Sequence, residues 1–298
     1  MRNLTLRAKA LRGVRDFFQS EDYLEVETPV RIPAPAPEAH IDPLASEAWY
    51  LQTSPELCMK RLLAAGYPRI YQICKCFRSA ERGSRHLPEF TMLEWYTAGD
   101  DYQALMDQTE ALLRWVARHA RPEAEIQYAG HSLSLDGPAW PRMTVAEAFR
   151  RWSPQPLPAA LAADRFDEII ALEIEPRLGY PGPVFLYDYP LECGALARRK
   201  PADPNVAERF ELYWAGVELC NGFSELTDAA EQRRRFEQEL NRRRRRNAPA
   251  APMPRRFLDD LEQMPSAAGN ALGLDRLVMI WADAATIDDV VAFTPETL

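Results

Sequence analysis

Residues 71 to 96, YQICKCFRSAERGSRHLPEFTMLEWY, carry the chain's densest set of side chains able to do chemistry: Arg78, Glu81, Arg82, Arg85, His86 and Phe90. They read as a strand, a charged loop and a return strand. By the period of two, Gln72, Cys74, Cys76 and Arg78 share one face, and Phe90, Met92, Glu94 and Tyr96 share the matching face of the second strand. Guanidinium groups bind phosphate bidentately and a ring face stacks on a nucleobase, so this hairpin is a candidate triphosphate clamp. Taken alone, such a hairpin is more often a solvated loop.

Three further groups could act with it. Glu211, Glu218 and Glu225, with Asn221 between them, lie on two extended runs; carboxylates beside a polyphosphate hold magnesium, and the alternative is a solvent-facing acidic edge strand. Glu211 and Glu218 can share a face, but Asn221, Phe223 and Glu225 have the opposite parity. One site for all of them predicts a bulge or strong twist near Leu219 to Asn221. In GNALGLDR, residues 269 to 276, glycines let the backbone pass close to a ligand and Arg276 opens a helix. The arginine-rich run EQRRRFEQELNRRRRRN, with Phe236 and Leu240 on one face, reads either as a docked helix with solvated arginines or as a surface for an acidic partner.

The elements that must position these groups follow from spacing. Leu4, Leu11, Val14, Phe17 and Phe18 predict an opening helix to about residue 19. EDYLEVETP is a turn and short strand, and IPAPAPEAHIDP a loop. TSPELCMKRLLAAG predicts a helix with Ser54 as N-cap, Pro55 at the first position and Gly66 as stop. Asp100 or Asp101 caps a helix to about Ala117, residues 126 to 135 form a small hairpin, and Thr144 with Glu147 forms a capping box. One further helix is expected within 153 to 180. Then come the extended runs VFLYDYP, RFELYW and VELCNGFSEL, and a long helix from near Thr227 broken by NAPAAPMP. The segment AGNALGLDRLVMIWA reads as strand, turn and helix. The order fits one mixed domain of antiparallel strands with helices packed around them.

Composition narrows the classes. With 298 residues, 47% apolar and 10% aromatic, the chain can bury one large core or two modest ones. Five cysteines without a CxxC pair and four scattered histidines give neither a disulfide framework nor a zinc cluster, which fits a reducing cytoplasm. No stretch approaches the ~18 apolar residues of a membrane span. A net charge of −8 argues against a non-specific nucleic-acid coat.

Arg78, HLPEFTMLEWY, ELCNGFSELTD and GLDR at a helix start, in this order, resemble the class II lysyl-tRNA synthetase catalytic domain; the VETP turn resembles that class's first motif, the hairpin its second and GNALGLDR its third. The resemblance implies an α+β fold, a mixed, mostly antiparallel sheet flanked by helices, as a single catalytic domain over residues 1–298 without the anticodon-binding barrel. A free-standing lysyl-type domain of this size resembles the GenX/PoxA family, the elongation factor P lysine ligases. Members activate lysine or β-lysine with ATP and transfer it to a lysine of elongation factor P.

By this resemblance Arg78 holds the α-phosphate, Arg85 and His86 the outer phosphates and Arg276 the γ-phosphate, with Arg78 and Arg276 the catalytic pair. Phe90 stacks on adenine and Glu81 lies near it. Glu211 and Glu218 correspond to magnesium ligands. Glu56, Glu94, Tyr96, Asn221, Phe223, Glu225 and Ala271 correspond to the amino-acid pocket. The first helix and VETP turn correspond to the class's dimer-forming motif, so the resemblance implies a homodimer. Without the barrel and with an acidic chain no stable tRNA binding is expected, and the cysteine usage and lack of an apolar span fit a cytoplasmic protein without membrane association. Three positions depart from the synthetase pattern: Ala80 stands where it has glutamate, Leu87 where it has asparagine and Ala271 where it has glycine. An adenylate-forming enzyme that loads tRNA or a small molecule, and a non-catalytic regulatory paralogue, remain alternatives.

Overall fold

Gln72 lies opposite Glu94, Cys74 opposite Met92 and Cys76 opposite Phe90 across an antiparallel pair, as the alternation predicts. That pair is part of the main sheet in a computed structural model that describes residues 2–121, 125–249 and 251–298. The sheet's strands are β1 (Leu24–Glu25), β2 (Arg69–Phe77), β3 (Glu89–Ala98), β4 (Arg142–Thr144), β5 (Val184–Pro190), β6 (Arg199–Lys200), β7 (Asp203–Trp214), β8 (Val217–Ser224) and β9 (Ala267–Gly273). Their spatial order is β1-β2-β3-β9-β8-β7-β5-β4, with β6 beside β7. The pairs β1·β2 and β4·β5 are parallel and the others antiparallel.

The helices are α1 (Arg2–Ser20), α2 (Glu56–Ala64), α3 (Tyr102–Ala120), α4 (Val145–Trp152), α5 (Leu157–Ala162), α6 (Phe166–Ile169), α7 (Ala229–Arg245), α8 (Arg255–Leu261) and α9 (Leu274–Trp281). Asp101 caps α3 through the N–H groups of Gln103 and Ala104, and Thr144 forms the expected capping box with Glu147. One face of the sheet, including Leu93, Trp95, Leu212 and Leu272, packs on α1, α3 and α9 in a single apolar cluster. Alternate residues of the same strands point to the other face. There α2, α7 and α8 close one end over Phe236 and Phe257, and α4 to α6 close the other over Phe149 and Phe166. The site-bearing strands are thus backed by solid core and walled at both ends.

Several expectations are corrected. The N-cap of α2 is Pro55, not Ser54, although the Ser54 hydroxyl still accepts from the Glu56 N–H at 3.0 Å. Residues 153 to 180 hold two short helices rather than one, the second running into a π-helical turn at Ile170–Ile174. Strand β7 starts six residues before RFELYW, because β6 folds back to pair with its early part. Helix α8 follows the proline-rich break unannounced, its Phe257, Leu258 and Leu261 filling the end cluster. No turn separates β9 from α9. The edge-strand alternative for the acidic pair fails, since β7 and β8 lie inside the sheet, bonded on both sides.

Candidate active site

The predicted bulge is present. Strands β7 and β8 pair Leu212 with Cys220 but Tyr213 with Glu218, so Leu219 is the extra residue. The shift reverses side-chain parity and places Glu211 directly opposite Asn221. Glu218, Asn221 and Phe223 therefore reach the same cavity, of about 880 Å³, from one strand.

At one end of that cavity stand the basic groups. Arg78 lies just beyond β2, its guanidinium 5.0 Å from the Phe90 ring centre and 3.8 Å from Glu81. Its Nε is buried without a partner. Arg85 donates to the Gly216 carbonyl at 2.7 Å. Arg276, on the first turn of α9, donates to the Glu218 carbonyl at 2.9 Å and to the His86 ring at 2.6 Å. Burial and the neighbouring Arg276 charge hold the His86 pKa below its ordinary value. Asp275 fixes α9 against β3 by accepting from the Thr91 N–H at 2.7 Å and pairing with Arg7 of α1. The two departures in the hairpin have local explanations. Ala80 sits at φ 62°, a left-handed turn position, and Leu87 is 3% exposed and joins the main core.

The other end is acidic and largely buried. Glu94 accepts from Ser54 and from Tyr96, the latter at 2.6 Å, and burial with Glu56 nearby pushes its pKa up to about 7. Glu225 is 1% exposed and, by burial, pushed up to about 8. It is absent from the cavity surface: one oxygen meets Lys60 and Oε1 has no partner. Gly269 makes this packing feasible, for a Cβ there would stand 2.2 Å from the Tyr96 ring and 2.6 Å from Glu225 Oε1. Ala271 lines the floor between Asn221 and Glu94, its register partners.

The two carboxylates expected to hold magnesium differ in their surroundings. Both oxygens of Glu211 are engaged, one by Arg209 and the other by the hydroxyls of Tyr189 and Tyr213. Glu218 keeps about 35% of its side chain exposed and shares only a 3.3 Å contact with Arg276. Among the described residues no three acidic, histidine or cysteine side chains gather as a protein-only metal cage.

The sequence reading missed three participants. Arg209 shares the face of Glu211 by simple alternation and donates to Asn221 at 3.1 Å. Lys60 stands four residues after Glu56, a spacing that signals a helical pair. Glu38, in the proline-rich loop, lines the cavity; burial pushes its pKa up to about 7, opposed by Arg78. Nothing in the periodicity of that loop marks it.

The cavity thus joins a basic end to an acidic end on a mostly antiparallel sheet. The chain belongs to the family of class II tRNA synthetases (D, K and N), whose model matches residues 1–297. It is 40% identical to the elongation factor P–(R)-β-lysine ligase of Erwinia tasmaniensis, over 98% of this chain and 94% of that protein. It is 39% identical to the ligase of the same name from Salmonella gallinarum, with the same coverage.

Proposed function

We propose that the chain uses ATP to activate lysine or β-lysine as an aminoacyl-adenylate and transfers it to a lysine side chain of elongation factor P. The observation that carries this reading is the single cavity with arginines at one end and half-buried to buried carboxylates at the other. Those carboxylates need ammonium partners, since a buried charge without one is costly.

In activation the amino-acid carboxylate attacks the α-phosphorus and pyrophosphate leaves. That carboxylate is ionised at neutral pH, so the step needs no general base. Arg78, flanked by Phe90, meets the α-phosphate, while Arg85, His86 and Arg276 meet the outer phosphates. Preorganised cations of this kind stabilise charge that grows on phosphoryl oxygens. Magnesium usually keeps waters and binds through one or two carboxylates plus substrate phosphates. Glu218 fits that role, whereas Glu211 would first have to give up its tyrosine and arginine partners. Such an ion would neutralise charge on the phosphates. Adenine takes a face of Phe90, which lies on the cavity wall beside Arg78.

A cytoplasmic setting agrees with the five free cysteines and with the lack, among the described residues, of a helix long and apolar enough to cross a membrane. The reading is tested by pyrophosphate exchange against a panel of amino acids, followed by transfer with elongation factor P or tRNA offered as acceptor. Exchange driven by lysine or β-lysine, with label passing to the protein alone, is expected. Efficient lysyl-tRNA formation would replace the acceptor, and no exchange with any amino acid would remove the enzyme reading.

A further inference from the structure

Two carboxylates, Glu56 and Glu94, line the acidic end of the cavity and a third, Glu225, is buried behind them; among the described residues one cation, Lys60, is built in against this group. Lys60 is 1% exposed, pairs with Glu56 four residues earlier on α2, and holds Glu225 Oε2. The Phe223 ring covers it, 5.0 Å from Nζ. Among the described residues the donors to Glu94 are Ser54 and Tyr96, both neutral. Glu225 Oε1 has none.

We propose that Lys60 is a positioning residue for the amino acid: it neutralises one of the three carboxylates, keeps Glu56 aimed into the cavity, and leaves two negative charges for a substrate bearing two ammonium groups. This deepens the reading above and rests on it. Lysine and β-lysine each carry two ammonium groups at neutral pH, whereas most amino acids carry one. With two charges left uncompensated the pocket is matched to a diamino acid, and a monoamino acid leaves a buried carboxylate unpaired. Lys60 cannot itself swing out to vacate a subsite, because α2 and Phe223 enclose it.

The groups that face this cluster are Glu56 and Lys60 from α2, Glu94 and Tyr96 from β3, and Glu225 at the end of β8. Burial raises Glu94 to about 7 and Glu225 to about 8, while the Lys60 charge lowers both. An ammonium substrate favours their ionised forms. Amino-acid capture therefore improves as pH rises through this range, and removing Lys60 moves that rise to higher pH, because the remaining carboxylates hold their protons more tightly.

The test is Lys60→Met in amino-acid-dependent pyrophosphate exchange across about pH 6 to 9. At pH ~7 the KM for lysine or β-lysine is expected to rise roughly tenfold or more, as follows from breaking a buried pair. Both kcat and the KM for ATP are expected to stay within about threefold of the parent, and the alkaline-going rise in kcat/KM to shift upward. Lys60→Gln, which keeps a donor but no charge, gives the same comparison should the methionine variant not fold. An unchanged amino-acid KM with an unmoved pH midpoint would overturn the proposal. So would an equal loss for ATP and amino acid, which marks a structural role. A parent enzyme silent with every diamino acid would refute the underlying activity instead, before any variant is compared.

Discussion

Arg276 donates from Nη2 to Nε2 of His86 across 2.6 Å, which requires that ring nitrogen to be unprotonated. The imidazole is therefore neutral, with its proton on Nδ1, and its depressed pKa follows from burial and the adjacent guanidinium. The unfolded chain takes up the proton first as pH falls below ~6.5, so this pair withdraws stability through that window. A polyphosphate beside both groups adds negative charge and favours the imidazolium. We expect the His86 ring resonances to titrate below the ordinary histidine range in the free protein and to move upward with a non-hydrolysable ATP analogue. An identical midpoint with and without the analogue would place the outer phosphates elsewhere.

Arg78 is the residue whose shape matters most. Its unpartnered buried Nε and its stacking on Phe90 hold a planar fork ready for a bidentate ligand. Arg78→Lys keeps the charge and loses the fork, so exchange should fall by roughly a hundredfold or more with little change in thermal stability. A variant that exchanges at the parent rate would remove Arg78 from the reacting centre.

The hairpin, the bulge and the helix-opening arginine were legible in the sequence because each rests on local rules. Alternation fixed the shared face of Arg78, Phe90 and Glu94, and the parity clash between Glu218 and Asn221 demanded the extra residue found at Leu219. What escaped depended on tertiary packing. Arg235 and Arg243 of α7, expected to be solvated, are 6% and 2% exposed, because backbone carbonyls of distant loops converge on them. The occupation of both Glu211 oxygens by Tyr189, Tyr213 and Arg209 depends likewise on how β5 and β7 meet. Glu38 lines the cavity from a loop that α7 pins, through Arg243 to the Glu38 and Ile41 carbonyls and Glu239 to the Ala39 N–H.

That anchoring sharpens a prediction about the acceptor. Arg242 and Arg245 are exposed at the rim of the cavity, while Arg243 ties loop 38–42 down and Asp42 in turn accepts from the Ser79 N–H beside Arg78. Arg242→Gln with Arg245→Gln should slow transfer to elongation factor P and leave amino-acid activation near the parent level, since rim charges act chiefly on encounter. Arg243→Gln should depress both activities and the melting temperature, having left buried carbonyls unsatisfied. Parent-like transfer in the rim double variant would move the acceptor's docking surface off α7.

The last expectation concerns the choice between lysine isomers. Ala271 sits opposite both Asn221 and Glu94 in the ladder, and its methyl group lies on the cavity floor between them. Moving an ammonium from the α to the β carbon shifts it by one bond length relative to the carboxylate, a displacement on the scale of that methyl. One methyl in a packed pocket is worth ~1–3 kcal/mol of discrimination, enough to change a preference without making it absolute. Ala271→Gly should therefore improve activation of α-lysine relative to β-lysine, while the ATP requirement stays as in the parent. The measurement is the ratio of kcat/KM for the two isomers in pyrophosphate exchange. An unchanged ratio would assign isomer choice to the carboxylates around Lys60, where the spacing of Glu56 and Glu94 on the cavity wall would then fix the position of each ammonium.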